Sequence, residues 1–208
     1  MTTTAQRAGD VVKSPLPDLQ RGQHETKSSA LHQEVFVGNL VNWRFRNQVL
    51  QYSQATYWSG YKRLVTHKPS SSAQSTIYQE RYVCGDEDGV QRRFTQTLAQ
   101  VMTSVCHAAN LQIAFGDYTA CVPQVIPSRK PDIVCLSTTT GQLKVVGEIK
   151  TPWVEEHGLQ RAQHFANKNY MKMLGQIASY MQEGQVKFGF FTNYNETIFL
   201  KQELLNGQ

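Results

Sequence analysis

Two short apolar segments, PDIVCL at 131–136 and LKVVGEI at 143–149, are joined by the small and polar residues STTTGQ. Runs of this length, rich in Val and Ile and closed by turn-forming residues, read as paired strands, because a buried helix needs about ten residues or more. Helical patterns bracket the pair. Upstream, Val90, Phe94, Leu98, Val101, Met102 and Val105 recur three or four apart, with Asp86, Glu87 and Asp88 at the positive end of the dipole, which predicts a helix over 88–109. Downstream, Tyr170, Met173, Leu174, Ile177 and Met181 share one face of a second long helix between Ala162 and Glu183, ended near Gly184. LQIAF at 111–115, KFGFFT at 187–192 and ETIFLK at 196–201 complete the strands. The order of helix, three strands, helix and two strands belongs to a layered α/β fold, and no internal repeat is present.

The chain of 208 residues is 40% hydrophobic, enough for one domain with a core of its own. Residues 1–33 are rich in Thr, Gln, Ser and Pro with unpatterned apolar residues, so a disordered, removable lead is expected there. A single domain is expected over 34–208, with its core at 85–200. The aromatic-rich stretch from Glu34 to His67 predicts an amphipathic helix around 40–52 and another short element, and HKPSSSAQST reads as a loop. Apolar runs of about six residues fall far short of the roughly 18 needed to cross a bilayer. The start MTTTAQRAGD lacks the apolar stretch of a secretory signal. These features predict an intracellular protein of nucleus or cytoplasm without a membrane partner. Lys+Arg 21 against Asp+Glu 16 leaves a net charge of +5, spread along the chain without a basic block. An anionic partner is permitted, not demanded.

Cys84, Cys106, Cys121 and Cys135 form no C-x-x-C pair and are expected as reduced thiols. The six histidines lie in no zinc-like spacing, so any metal must be held by oxygen. Neither His157 nor His164 has a partner at fixed spacing, and both are expected at the surface.

Hydrolysis of a phosphodiester on a divalent ion needs carboxylates to hold the ion and a cation or base near the attacking water. The strand pair supplies them. Asp132 opens the first strand; Glu148 and Lys150, two residues apart near the end of the second, project to the same side. A turn at 137–142 sets Asp132 opposite the neighbourhood of Glu148. Two part-buried like charges are costly without compensation, which a bound Mg²⁺ or Mn²⁺ would provide. Taken alone, Asp132 reads sooner as a turn cap than as a catalytic residue, and Glu148 with Lys150 sooner as a surface ion pair. In this topology the three together favour chemistry.

Pro131-Asp132 followed by Glu148-Ile149-Lys150 resembles the paired motif of the PD-(D/E)XK nuclease superfamily, and Gln176 and Tyr180 reproduce the Gln-x-x-x-Tyr pattern of its exonuclease-like branch. The resemblance covers roughly 85–200 and implies a restriction-endonuclease-like core of helix, three strands, helix and strand. It further implies that Asp132, Glu148 and the Ile149 carbonyl hold Mg²⁺ (or Mn²⁺) and that Lys150 orients or activates water. Gln176 would position Lys150 or a phosphate, and Tyr180 would brace its helix. A first-helix acidic ligand is also implied, for which Glu87 is the candidate and Gln91 the alternative position. GEIKTPW with FFTNYNETIFL is similar to fungal domains found ahead of fungal-type protein kinase domains, which implies a fungal source and a kinase domain as companion.

The expected activity is metal-dependent cleavage of DNA, with RNA left open. The competing expectation is a non-catalytic, regulatory module of nuclease-like fold beside a kinase or toxin partner. Trp43, Arg44, Phe45 and Arg46, with Tyr57, Trp58, Tyr61, Lys62 and Arg63, interleave rings and cations as single-strand binders do. The favoured reading of that stretch is a packed aromatic face with its arginines in water. Lys168 and Lys172 are likewise read as solvated.

Overall fold

A computed structural model of the chain describes residues 4–27, 31, 33–54, 63–66, 82–127, 129–159 and 168–203. Its elements in order are β1 (Thr4–Arg7), α1 (Ala8–Lys13), β2 (Gln20–Arg21), α2 (Arg46–Gln54), β3 (Arg63–Thr66), β4 (Val83–Cys84), α3 (Glu87–Phe94), α4 (Gln100–Ala108), β5 (Ile113–Gly116), β6 (Ile133–Ser137), β7 (Leu143–Ile149), α5 (Lys168–Glu183), β8 (Phe188–Thr192) and β9 (Thr197–Lys201). The last five strands form one mixed sheet in chain order, antiparallel throughout except that β7 and β8 run parallel. A parallel pair cannot be joined by a tight turn, and α5 lies in the connection.

Alternation along the strands divides the core. Val134, Val146 and Phe191 point to the side covered by α5, where they meet Met173, Ile177, Tyr180 and Met181. Ile133, Ile149 and Phe190 point to the other, against Val90, Phe94 and Ala99. Each fully buried large side chain contributes about 1.5–3 kcal/mol relative to exposure, so both layers matter. Where β7 pairs with β8, a Cβ on Gly147 would strike the ring of its ladder partner Phe190 and lie 2.8 Å from Ile133 Cγ2.

The hairpin forms as its apolar pattern requires, with Ile133 opposite Gly147 and a register shift between Cys135 and Leu136. The first long helix departs from the uninterrupted 88–109 expected. It starts at Glu87, capped by Asp86, whose side chain accepts from Gly89 N, and a π-helical turn at Thr95–Ala99 separates α3 from α4. The Thr97 hydroxyl donates to the Arg93 carbonyl at 2.8 Å and so competes for a ladder acceptor. Leu111 N–H still bonds back to Cys106 O, which moves the start of β5 to Ile113. The helix expected over 40–52 is α2, displaced to 46–54, and the buried apolar face expected of it is not found, since none of its residues is buried. The loop at 67–76, the first turns of the second long helix at 162–167, and Tyr57, Trp58, Tyr61, Lys62 and His164 lie outside the described residues.

Two expectations are corrected. Within the lead expected over 1–33, the described residues 4–27 do not stand apart: β1 pairs with β3, β2 pairs with β4, Leu19 packs on the α3-side core, and the Tyr194 hydroxyl donates to Pro17 O at 2.9 Å. Backbone bonds to distant strands hold the segment, together with the buried Ala8 and the packing of Leu19. His157 is buried, 1% exposed, rather than at the surface. Its Nδ1 lies 3.0 Å from both Thr151 O and Thr151 Oγ1, and its carbonyl accepts from Asn193 Nδ2 at 3.0 Å.

Trp43 stacks on Phe188 with ring centres 5.8 Å apart, and Phe45 meets Phe199 edge-on at 5.6 Å. Arg44 and Arg46 are exposed. The favoured reading, an aromatic helix packed on the core, is met only in its arginines: Trp43 and Phe45 are half-buried and lie ahead of the helix, and α2 buries none of its residues. Lys168 is exposed and Lys172 half-buried. All four cysteines are free, three of them buried. No helix among the described residues is long and apolar enough to cross a membrane.

Candidate metal centre

The site residues converge at the C-terminal end of β7. Asp132 immediately precedes β6, and its Oδ2 accepts from Ile149 N at 2.8 Å, a bond that fixes the carboxylate across the hairpin. Glu148 sits in register with Phe191 on the α5 side and is 2% exposed. Lys150 follows directly after the strand, 3% exposed, its N–H donating to Thr192 O at 2.8 Å. Glu87 comes from the first turn of α3, about sixty residues away in sequence, and is the helix residue that reaches the cluster. Gln91, the alternative, is one turn further on.

Lys150 Nζ lies 2.7 Å from Glu87 Oε1 and 2.7 Å from Glu148 Oε1. Gln176 Nε2, from α5, donates to Glu148 Oε1 at 2.6 Å and to the Tyr180 hydroxyl at 3.3 Å. Gln176 thus orients the glutamate, whereas positioning of Lys150 or a phosphate was expected. Tyr180 supports Gln176 from one turn away. The Ile149 carbonyl, the fourth expected ligand, belongs to the residue whose N–H holds Asp132.

Ligand oxygens of Glu87, Asp132 and Glu148 all lie within 4.8 Å of one another. Metal–oxygen distances near 2.0–2.1 Å place the ligand oxygens of one ion about 3–4.2 Å apart, so the three carboxylates would have to draw together to share an ion. Two buried oxygens, Glu148 Oε2 and Gln176 Oε1, have no hydrogen-bond partner among the described residues. A buried acceptor without a donor costs about 1–3 kcal/mol, more when charged, and Glu148 Oε2 is the atom a hard cation would satisfy.

The electrostatics agree. Burial pushes the Asp132 carboxyl up to about 6, with Lys150, the Ile149 N–H and a hydrogen bond from the protonated Glu148 carboxyl pulling it down and Glu87 adding to the rise. Burial, then Asp132, push Glu148 up to about 8 against the pull of Lys150. Burial opposes the charge on Lys150, but Glu148, Glu87 and Asp132 together raise its pKa. Three carboxylates beside one ammonium leave two excess negative charges when all are ionised. Taking up a proton relieves this while the lysine stays charged, and a divalent cation would relieve it further.

The structure therefore brings together Asp132, Glu148, Lys150, Gln176, Tyr180 and Glu87. The buried set of Thr151, His157 and Asn193, which pins the segment after Lys150, was missed from sequence, where no spacing marks it. Neither a protein-family model, nor a curated protein, nor a solved structure matches this chain.

Proposed function

We propose that this chain is a Mg²⁺- or Mn²⁺-dependent nuclease acting on DNA. The observation that carries the reading is the buried, unpartnered Oε2 of Glu148, grouped with oxygens of Asp132 and Glu87 and set beside the Lys150 ammonium. An all-oxygen donor set suits a hard divalent ion. The order α3 with α4, β5, β6, β7, α5 and β8 supports a restriction-endonuclease-like core, which the resemblance implied.

Asp132, Glu148 and Glu87 would hold the ion. Bound there, it would supply an acidified water and a counter-charge for the phosphate. The chain's own groups do the rest. Lys150, held protonated by its carboxylate neighbours, stabilises negative charge developing on the phosphoryl oxygens. Gln176 keeps Oε1 of Glu148 engaged and leaves Oε2 available as a ligand.

Purified protein is expected to cut DNA with Mg²⁺ or Mn²⁺ and to stop with EDTA. Asp132→Ala and Lys150→Ala should each lose at least about a hundredfold in rate, in line with removal of a transition-state stabiliser. Intact cleavage by either variant would overturn the site; preferred cutting of RNA would change the substrate class only.

One observation favours a second reading. Lys150 already bridges Glu87 and Glu148 at 2.7 Å each, which partly neutralises the cluster. A non-catalytic, nuclease-like module beside a kinase or toxin partner would be held together in this way. Calorimetric titration separates the two, since the module binds no Mn²⁺.

A further inference from the structure

Asp132 and Glu148 are fixed to each other by the β6–β7 ladder, but Glu87 belongs to the first turn of a separate helix. Its place depends on how that end of α3 is docked. One tie is the Lys150 contact, which uses a carboxylate oxygen that a metal would also use. A second tie uses none of them.

Residues 20–27 run as a strap across the start of α3. Gln20 and Arg21 pair with Val83 and Cys84, Gly22 N donates to Cys84 O at 2.9 Å, and Thr26 N donates to Gly85 O at 2.8 Å. Gly85 directly precedes the Asp86 cap and stands two residues before Glu87. On its other side the strap grips the chain just after Lys150: Trp153 Nε1 donates to Thr26 O at 3.0 Å, and the Arg21 guanidinium, held by Glu25 at 2.6 Å, lies 5.3 Å over the indole. The path from Lys150 to Trp153, Thr26, Gly85 and Glu87 closes back on Lys150. The fit at Gly85 is close, since a Cβ there would lie 2.7 Å from His24 O.

We propose that the 20–27 strap positions Glu87 as the third metal ligand, with Trp153 and Gly85 as positioning residues. The inference rests on the metal-site reading above. It gives the lead a role in the site that its composition does not announce.

Two variants test it. Trp153→Phe removes the indole N–H and keeps an aromatic ring; Gly85→Ala pushes the strap away from the start of α3. Mn²⁺ affinity is measured by calorimetry in the native and in the Glu87→Gln background, and amide exchange is followed at 87–90. Each variant should weaken Mn²⁺ binding about tenfold, the usual cost of losing support behind a ligand, with no further loss once Glu87 is Gln. Exchange at Gly89 and Val90 should quicken. Equal losses in both backgrounds, or none, overturn the proposal. If the native protein binds no Mn²⁺, the metal reading fails and exchange decides the strap. Faster exchange at 87–90 in Trp153→Phe then supports it as the device that holds Glu87, and unchanged exchange refutes it.

Discussion

Glu148 concentrates the physics of the site in one side chain. It is buried, it accepts from Gln176 and Lys150 through the same oxygen, and its other oxygen has no donor among the described residues. Its carboxyl and that of Asp132 are raised to about 8 and about 6, above their ordinary values, so the folded state binds protons more tightly than the unfolded chain. The stability this contributes is complete below about pH 4, where both states are protonated. It is lost as pH rises through about 6 and about 8. Metal-free protein should therefore fall in denaturant midpoint between pH 5 and 8.5, and Glu148→Gln should remove most of the fall above pH 6. A flat native profile would contradict the burial of these charges. Mn²⁺ affinity should climb across the same window, because the ion must displace the protons. The position of Glu148 was legible in sequence: period-two alternation put it and Lys150 on one side. Its missing donor was not, because satisfaction of an oxygen depends on everything packed around it.

Helix α5 shows what a motif residue owes to its neighbours. Gln176 reaches Glu148 and Tyr180 meets Gln176, while Gly175 beside them lets the 34–36 segment cross α5 closely. A Cβ on Gly175 would lie 2.6 Å from Glu34 O and 3.0 Å from Phe36 N, and Phe36 N–H donates to Met171 O at 2.8 Å. The obstacle is backbone and cannot rotate away. Gly175→Ala should therefore cost about 1–3 kcal/mol, as overpacking does, lower the thermal midpoint, and speed exchange of the Phe36 amide. An unchanged midpoint and exchange would show that the 34–36 segment gives way freely. The apolar face of α5 was readable from its spacing, as were β6 and β7. The π-turn at 95–99 escaped, because Thr97 reads as a tolerated helix residue until its hydroxyl is seen on the Arg93 carbonyl.

Across the whole molecule the N-terminal residues pack on the element ends that build the site. Pro17 is gripped by Tyr194, Leu19 packs on the core cluster that includes Cys84 and Val90, and Thr26 connects Gly85 with Trp153. Removing residues 1–27 takes away all of these ties at once. The truncated protein should lose at least about 2 kcal/mol of stability, a few hydrogen bonds at about 1 kcal/mol each with the burial of Leu19, read as a lower denaturant midpoint. An unaltered midpoint would return these residues to the status of a removable lead.

What the sequence determined by itself was local in kind. Short apolar runs such as those around Ile133–Val134 and Val145–Val146 need only neighbouring residues to declare strands, and the turn over 137–142 leaves the hairpin one close register, so Asp132 had to arrive near Glu148. The helical spacing of Met173, Leu174, Ile177 and Met181 is equally self-contained. The tertiary structure alone decided the arrival of Glu87 at Lys150, the burial of His157 against Thr151 and Asn193, and the docking of Thr26 on Gly85. Each joins segments whose own patterns are silent about one another. Hydrogen bonds and ion pairs of this kind carry no periodicity, and they form only once the apolar layers have brought the ends of the elements within reach.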